Sequence, residues 1–325
     1  MRSIVIKQYG GPENLAIKDM PDPVPQTGQV AINIKAFGLN RAELYFRAGL
    51  WGDVAEVTGI ECVGEIHHDP ANVFTKGQKV IALMGGMGRT INGSYAEMVV
   101  VPTTSVVAIN SALSWAELAA IPESYATAWA CLNKNLTLQK GQTILIRGAT
   151  SALGQAAVNV AVSQGVKVIA TTRNRDRFDD LEQLGAEPLL HDDLSASLIT
   201  ERYHGGVDAV LDIIGNSTLV DSLACVKHGG RVCLVGFLGG GDPLVDFNPL
   251  MQMPSGVQLS FFGSAFVLGT KDFPLSDIPF QTLIDQVEAG IFKAKPDQVF
   301  GFDDIVKAHE LMEANKANGK LVVKV

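Results

Sequence analysis

The sequence predicts an α/β protein in two parts, a β-rich, barrel-like region followed by a parallel-sheet region, and three observations carry that expectation. Short alternating runs between glycine- and proline-marked turns fill the chain up to about residue 110. From Thr143 onward, continuous apolar β-rich runs alternate with helical stretches, the pattern of strands buried on both faces. A strand, a tight turn of small residues and an amphipathic helix open that second part.

In chain order, Ser3–Lys7 and Gln29–Phe37 alternate apolar with polar residues, and Pro21, Pro23 and Pro25 punctuate the gap. Lys79–Met84 and Ser94–Val101 read as further strands, with turns at Gly10-Gly11-Pro12, Gly85-Gly86 and Asn92-Gly93. Ser114 and Glu117 have capping-box spacing ahead of an apolar run, and a helical stretch around Thr127–Leu132 follows. Thr143–Ile146, Val166–Thr171, Val207–Leu211 and Arg231–Val235 are the expected parallel strands, and Lys320–Val325 is one more strand.

The 325 residues suffice for two domains, and 47% apolar with 18% charged residues is an ordinary globular balance. A net charge of −8 argues against nucleic acid or an anionic membrane as partner. No window of 18 apolar residues predicts a membrane span, and Met1–Tyr9 lacks the apolar core of a signal peptide. Cys62, Cys131, Cys225 and Cys233 form no C-x-x-C pair and sit in apolar stretches, as buried free thiols of a cytoplasmic protein would.

The most informative segment runs from Ile144 through Gly148-Ala149-Thr150-Ser151-Ala152-Leu153-Gly154 into the helix Gly154–Gln164. Small residues let backbone N–H groups approach a pyrophosphate, and the helix N-terminus adds partial positive charge. The segment departs from G-x-G-x-x-G: Ala149 and Ser151 stand for the first two glycines and only Gly154 remains, so a purely structural turn is the alternative. The strand Val166–Thr171 completes a βαβ unit and ends in Thr172-Arg173-Asn174-Arg175-Asp176-Arg177. An NAD site usually places a carboxylate there for the ribose 2′-hydroxyl, whereas guanidinium groups grip a 2′-phosphate. The expected cofactor is therefore NADP(H), against the alternative of a solvated basic helix start.

The chain resembles the medium-chain dehydrogenase/reductase superfamily over nearly its whole length, and its zinc-free quinone oxidoreductase branch best. The likeness is carried in order by Asn40-Arg-Ala-Glu-Leu-Tyr45-Phe-Arg47-Ala-Gly49, Gly59-Ile-Glu61-Cys-Val-Gly64, Phe74-x-x-Gly77-x-x-Val80, Gly93-Ser-Tyr-Ala-Glu97, Ala120-Ile-Pro122 through Thr127-Ala-Trp129, the phosphate loop, Asp212-Ile-Ile-Gly215, Val235-Gly236 and Gly319-Lys320. The resemblance implies a GroES-like β-barrel domain of residues 1–121 and 266–325, an inserted Rossmann domain of doubly wound parallel sheet at 122–265, an active cleft between them, and a homodimer. It implies cofactor contacts from Thr127, Ser151, Ala152, Leu153, Gly154, Thr172, Arg173, Arg177, Gly215, Gly236, Phe237 and Lys320.

Zinc-dependent relatives take metal ligands, a Cys and a His, at the positions matching Asn40 and Ile60. Neither an amide nor an aliphatic chain replaces those, so no metal is expected. Without zinc to stabilise an alkoxide, the suitable acceptors are those that delocalise their own charge, quinones and α,β-unsaturated carbonyls. Asn40, Tyr45 and Arg47 are the candidate hydrogen-bond donors. Their alternatives are a turn-satisfying amide, a cleft wall, and a structural ion pair of Arg47 with Glu43. The expected function is NADPH-dependent reduction of a small-molecule quinone, enone or enal. An enoyl-thioester reductase and a non-catalytic, crystallin-like NADPH-binding protein are the competing readings.

Overall fold

The computed structural model describes residues 1–325. The chain divides into two compact units, one of Met1–Glu123 with Ala265–Val325 and one of Ser124–Ser264.

In the first unit, β1 (Arg2–Ile6) pairs antiparallel with β2 (Leu15–Asp19). The ten-residue β3 (Gln29–Gly38) is the spine of a separate seven-stranded sheet. It pairs antiparallel with β4 (Glu61–His68), which pairs with β5 (Lys79–Leu83). The first half of β3 also pairs with β6 (Met98–Pro102), and β5 pairs with β7 (Val106–Ala108). The strand expected from Ser94 begins four residues later. Its first residues instead exchange hydrogen bonds with β1, Ile4 N–H to the Tyr95 carbonyl at 2.7 Å and Glu97 N–H to that of Arg2 at 3.0 Å. Alternation along β3 buries Val30, Ile32 and Ile34, an irregularity between Ile34 and Ala36 brings Phe37 inward as well, and the Phe37 ring stacks on Tyr95 at 4.7 Å. Ser114 and Glu117 form the capping box their spacing predicts, at the start of the helix Trp115–Leu118.

The second unit is one six-stranded parallel sheet. Its strands are β8 (Thr143–Arg147), β9 (Lys167–Thr172), β10 (Glu187–Leu190), β11 (Val207–Asp212), β12 (Val226–Leu234) and β13 (Gln258–Phe261), in spatial order β10-β9-β8-β11-β12-β13. The apolar runs of β8 and β11 are buried because helices cover both faces of such a sheet. The chain starts at the centre, winds outward through β9 and β10, then returns to β11 and winds the other way. The C-terminal ends of β8 and β11 therefore flank the point where the order reverses, the place where open α/β sheets bind ligands.

The chain then returns to the first unit. There β14 (Gln298–Gly301) runs parallel to β15 (Leu321–Lys324), and β15 pairs antiparallel with the last residues of β3. That pairing sets Lys320 beside the end of β3, from which Leu39 and Asn40 lead into the helix Arg41–Arg47. All four cysteines are buried and free. No helix is long and apolar enough to cross a membrane.

Candidate active site

At the reversal point of the second unit three loops meet at backbone distance. The turn after β8 carries Gly148 at φ +78°, and a Cβ there would lie 3.2 Å from Ile214 Cδ1. At residue 154 a Cβ would lie 2.4 Å from the Gly148 carbonyl oxygen, so the helix Ala152–Ser163 can start this close to β8 only with glycine. Gly215, at φ +109°, faces the Gly236 carbonyl across 2.9 Å from the same imagined atom. Ser151 caps the helix: its Oγ accepts from Gly154 N–H at 3.0 Å and donates to the Gly148 carbonyl at 2.8 Å. The N–H groups of Ala152 and Leu153 find no acceptor in the chain, which leaves two donors of the first turn for an anion.

Asp212, at the end of β11, is buried and organises the facing loop. Its carboxylate accepts from the N–H groups of Ile214 at 2.9 Å and Gly215 at 3.0 Å, and from the hydroxyls of Thr218 at 2.8 Å and Ser222 at 2.6 Å. Thr218 and Ser222 stand four apart on the helix Asn216–Ala224 and so share the face turned to Asp212. Phe237 follows Gly236, its ring 6.0 Å from that of Phe261.

Beyond β9 the basic segment is exposed. Thr172 is buried and its hydroxyl accepts from Asn174 N–H at 3.1 Å, shaping the turn. Arg173 projects into solvent with no hydrogen bond or ion pair to the chain, whereas Arg175 lies over the Phe178 ring and Arg177 pairs with Asp180 at 3.4 Å. The residues present fit a phosphorylated dinucleotide: a close backbone cradle, two orphan N–H donors, and after β9 a guanidinium with no partner in the chain.

The first unit holds a buried polar cluster at the end of β3. Lys320 Nζ donates to Glu61 Oε1 at 2.5 Å and to Asn40 Oδ1 at 2.6 Å. Asn40 Nδ2 donates to Glu61 Oε1 at 2.8 Å, and the other Glu61 oxygen accepts from Glu123 N–H at 2.8 Å. Glu43 closes the group, accepting from the N–H of Asn40 at 2.7 Å and of Ile60 at 3.2 Å. Burial pushes the Glu43 carboxyl up to about 8, with the Glu61 charge assisting and the Lys320 charge opposing.

A second buried network is built on Arg47, one turn on from Glu43 in the helix Arg41–Arg47. Arg47 is 1% exposed, and its guanidinium donates to both Glu313 oxygens at 3.1 Å, to the Gly10 carbonyl at 3.0 Å and to His309 Nδ1 at 3.4 Å. Arginine cannot accept, so His309 Nδ1 is the acceptor and its Nε2–H donates to Tyr95 Oη at 2.9 Å. Burial, with the Arg47 charge beside it, drives His309 down to about 3 and keeps it neutral. Tyr45 is half-buried, its ring 4.9 Å from that of Trp51, and burial raises its phenol above the ordinary value.

Residues 26–111 match the alcohol dehydrogenase GroES-like domain family, and residues 152–280 match the zinc-binding dehydrogenase family. Human quinone oxidoreductase is 28% identical over 99% of this chain and 97% of its own length. The chain belongs to the medium-chain dehydrogenase/reductase superfamily. Human and mouse quinone oxidoreductases are among its curated relatives, and its fold is the GroES-like domain with a Rossmann-like domain of that superfamily. Among solved structures, Escherichia coli quinone oxidoreductase complexed with NADPH superposes with TM-score 0.87 at 19% identity, covering all of both chains. CurK enoyl reductase does so with TM-score 0.83 at 25% identity, over 99% of this chain and 98% of its own.

Within that superfamily frame the expected site residues fall out unevenly. Ser151, Ala152, Leu153, Gly154, Gly215, Gly236 and Phe237 gather at the reversal point, Thr172 and Arg173 end β9, and Thr127 is buried in the helix Pro122–Ala130. Arg47, Lys320 and Arg177 have partners within the chain. Four N–H groups of Arg47 go to Glu313, Gly10 and His309, which corrects the expected ion pair with Glu43. Lys320 is buried against Glu61 and Asn40. Arg177 pairs with Asp180. Glu43, Glu61 and Asp212 were passed over as site residues. The Asn40-x-x-Glu43 spacing, like that of Ser114 and Glu117, was the signal for the first, and Thr218 and Ser222 at helical spacing for the last.

Proposed function

We propose that the protein is a metal-free NADPH-dependent reductase of quinones or α,β-unsaturated carbonyls. The observation that carries the reading is the state of residue 40. The side chain standing where zinc-dependent relatives have a ligand is an amide whose oxygen already accepts from the Lys320 ammonium. Its neighbour Ile60 is buried and aliphatic. An amide so engaged, beside a cation, is a poor ligand for a second cation.

On this reading, the reversal-point cradle of Ala152, Leu153, Gly154, Gly215 and Gly236 binds the dinucleotide, Arg173 reads the 2′-phosphate, and bound NADPH supplies hydride. Thr127 and Phe237 border the nicotinamide, as the superfamily positions suggest. Asn40, its amide oxygen taken by Lys320 and its amide nitrogen by Glu61, acts by fixing the polar cluster rather than by donating to substrate. Tyr45, kept protonated by burial, is the candidate donor to an acceptor that becomes an aryloxide or enolate.

Similarity to an enoyl reductase and the protonated Tyr45 favour an enoyl thioester as second substrate class. The test of the metal-free reading is NADPH oxidation with 1,4-benzoquinone before and after exhaustive chelation, beside metal analysis of the purified protein. Unchanged turnover with no stoichiometric zinc is expected. One tightly held zinc per chain, with activity lost on its removal, contradicts it.

A further inference from the structure

The basic segment after β9 holds one free guanidinium, and the strand beside it ends in a second free donor. Arg175 lies over the Phe178 ring, Arg177 pairs with Asp180 at 3.4 Å, and Arg202 pairs with Glu187 at 2.5 Å. The Asn174 amide oxygen accepts from Asp176 N–H at 2.9 Å, and the Thr172 hydroxyl is taken up by the backbone of Asn174. Arg173 and His191 are the remaining basic side chains of these two strand ends, and neither makes a hydrogen bond or ion pair within the chain. The sheet brings them together. β10 runs parallel to β9 with Leu190 opposite Thr172. The ladder continues one step further, His191 N–H donating to the Thr172 carbonyl at 2.8 Å, and that bond sets His191 opposite Arg173. Opposed residues of neighbouring parallel strands project from the same face of the sheet, with the strands about 4.8 Å apart.

We propose that His191 is the second side chain of the 2′-phosphate site, donating from its imidazole to a phosphate oxygen that the Arg173 guanidinium leaves open. This rests on the reading of Arg173 given above and adds a residue to cofactor choice. A 2′-phosphate presents three acceptor oxygens, and a guanidinium fork meets two of them, so one is left for a neighbouring donor. An imidazole donates from a ring N–H whether neutral or charged, so the contact needs no particular protonation state. Asp192 and Asp193 follow His191 in an exposed turn and oppose an anion there. The contribution of His191 is therefore several-fold, smaller than that of Arg173. The 2′-phosphate alone distinguishes NADP(H) from NAD(H), so a contact to it acts on the choice of cofactor and not on the binding of the remaining dinucleotide.

The probes are adenosine 2′,5′-bisphosphate and 5′-AMP, which differ only in the 2′-phosphate. Calorimetric titration of each reads the site without acceptor or turnover. The native protein should bind the bisphosphate at least about tenfold more tightly than 5′-AMP. His191→Ala should weaken the bisphosphate about fivefold and leave 5′-AMP within about twofold, which also reports an intact fold. His191→Gln, whose amide still donates, should keep more of the preference than His191→Ala. The double variant Arg173→Ala/His191→Ala should bind the two ligands about equally. A native preference that His191→Ala leaves intact overturns this assignment alone. Equal loss of both ligands in His191→Ala overturns it too, since the imidazole would then lie against the adenosine. A native protein with no preference fails the Arg173 reading itself and takes this assignment with it.

Discussion

Lys320 and Glu61 form an ion pair whose two side chains are 4% and 0% exposed, with 2.5 Å between Nζ and Oε1. Such a pair contributes little over a matched apolar pair, but removing one member leaves a bare charge in the interior.

Glu61→Gln, which leaves the Lys320 ammonium unpaired, should therefore destabilise the protein by about 3–5 kcal/mol. The double variant Lys320→Met/Glu61→Gln should recover most of that loss. Urea denaturation of the native protein, both single variants and the double closes the cycle. Additive effects of the single substitutions would show that the two charges do not depend on each other.

Arg173 is the guanidinium of its segment with no partner in the chain, so it should govern cofactor choice. NADPH should bind at least about tenfold more tightly than NADH, a difference of about 1.4 kcal/mol. Arg173→Ala should weaken NADPH and spare NADH. Fluorescence titration of both cofactors measures it, and equal affinities in the native protein would remove the basis of the NADP(H) assignment.

Two buried groups give stability a pH dependence of opposite sense. His309 is held near 3 in the fold against 6.5 unfolded, so the unfolded chain binds the extra proton and stability falls as pH drops through that window. Between pH 6.5 and pH 4 the loss should be on the order of 2–3 kcal/mol, and smaller in His309→Gln. Glu43 is raised from 4.5 to about 8, so the fold holds a proton that the unfolded chain has released, and stability falls as pH rises from 4.5 to 8. Denaturation midpoints at pH 4, 6.5 and 8 separate the two. A profile for His309→Gln that overlays the native one would refute the histidine assignment.

The edge strand β13 leaves Leu259 and Phe261 38% and 54% exposed, and an apolar edge of this kind invites pairing with a second copy. Light scattering should give twice the 34.6 kDa chain mass at micromolar concentration, and Phe261→Asp should shift it toward one chain. A native protein at monomer mass would rule out this assembly.

The sheet architecture was legible because its signals are local. Period-two alternation named β1 and β3, and continuous apolar runs named β8, β9 and β11. The phosphate turn was legible too, since Gly154 is required by a steric contact with a residue only six positions earlier. The buried clusters were not. Lys320 meets Asn40 across 280 positions and Arg47 meets His309 across 262, and no spacing rule reaches that far. Arg47 at i, i+4 from Glu43 invites an ion pair between the two, but Glu43 accepts from the N–H groups of Asn40 and Ile60 while Arg47 donates to Glu313 from far along the chain.

The proposed reaction is hydride transfer from NADPH to an acceptor that delocalises its own charge, with no metal to help. Steady-state NADPH oxidation tests it most directly, with 1,4-benzoquinone, a 2-alkenal and an enoyl-CoA as acceptors, beside ethanol oxidation with NADP, all in the presence of chelator. Turnover with the quinone or the alkenal should exceed ethanol oxidation by orders of magnitude. Ethanol turnover greater than all three reductions would contradict the account.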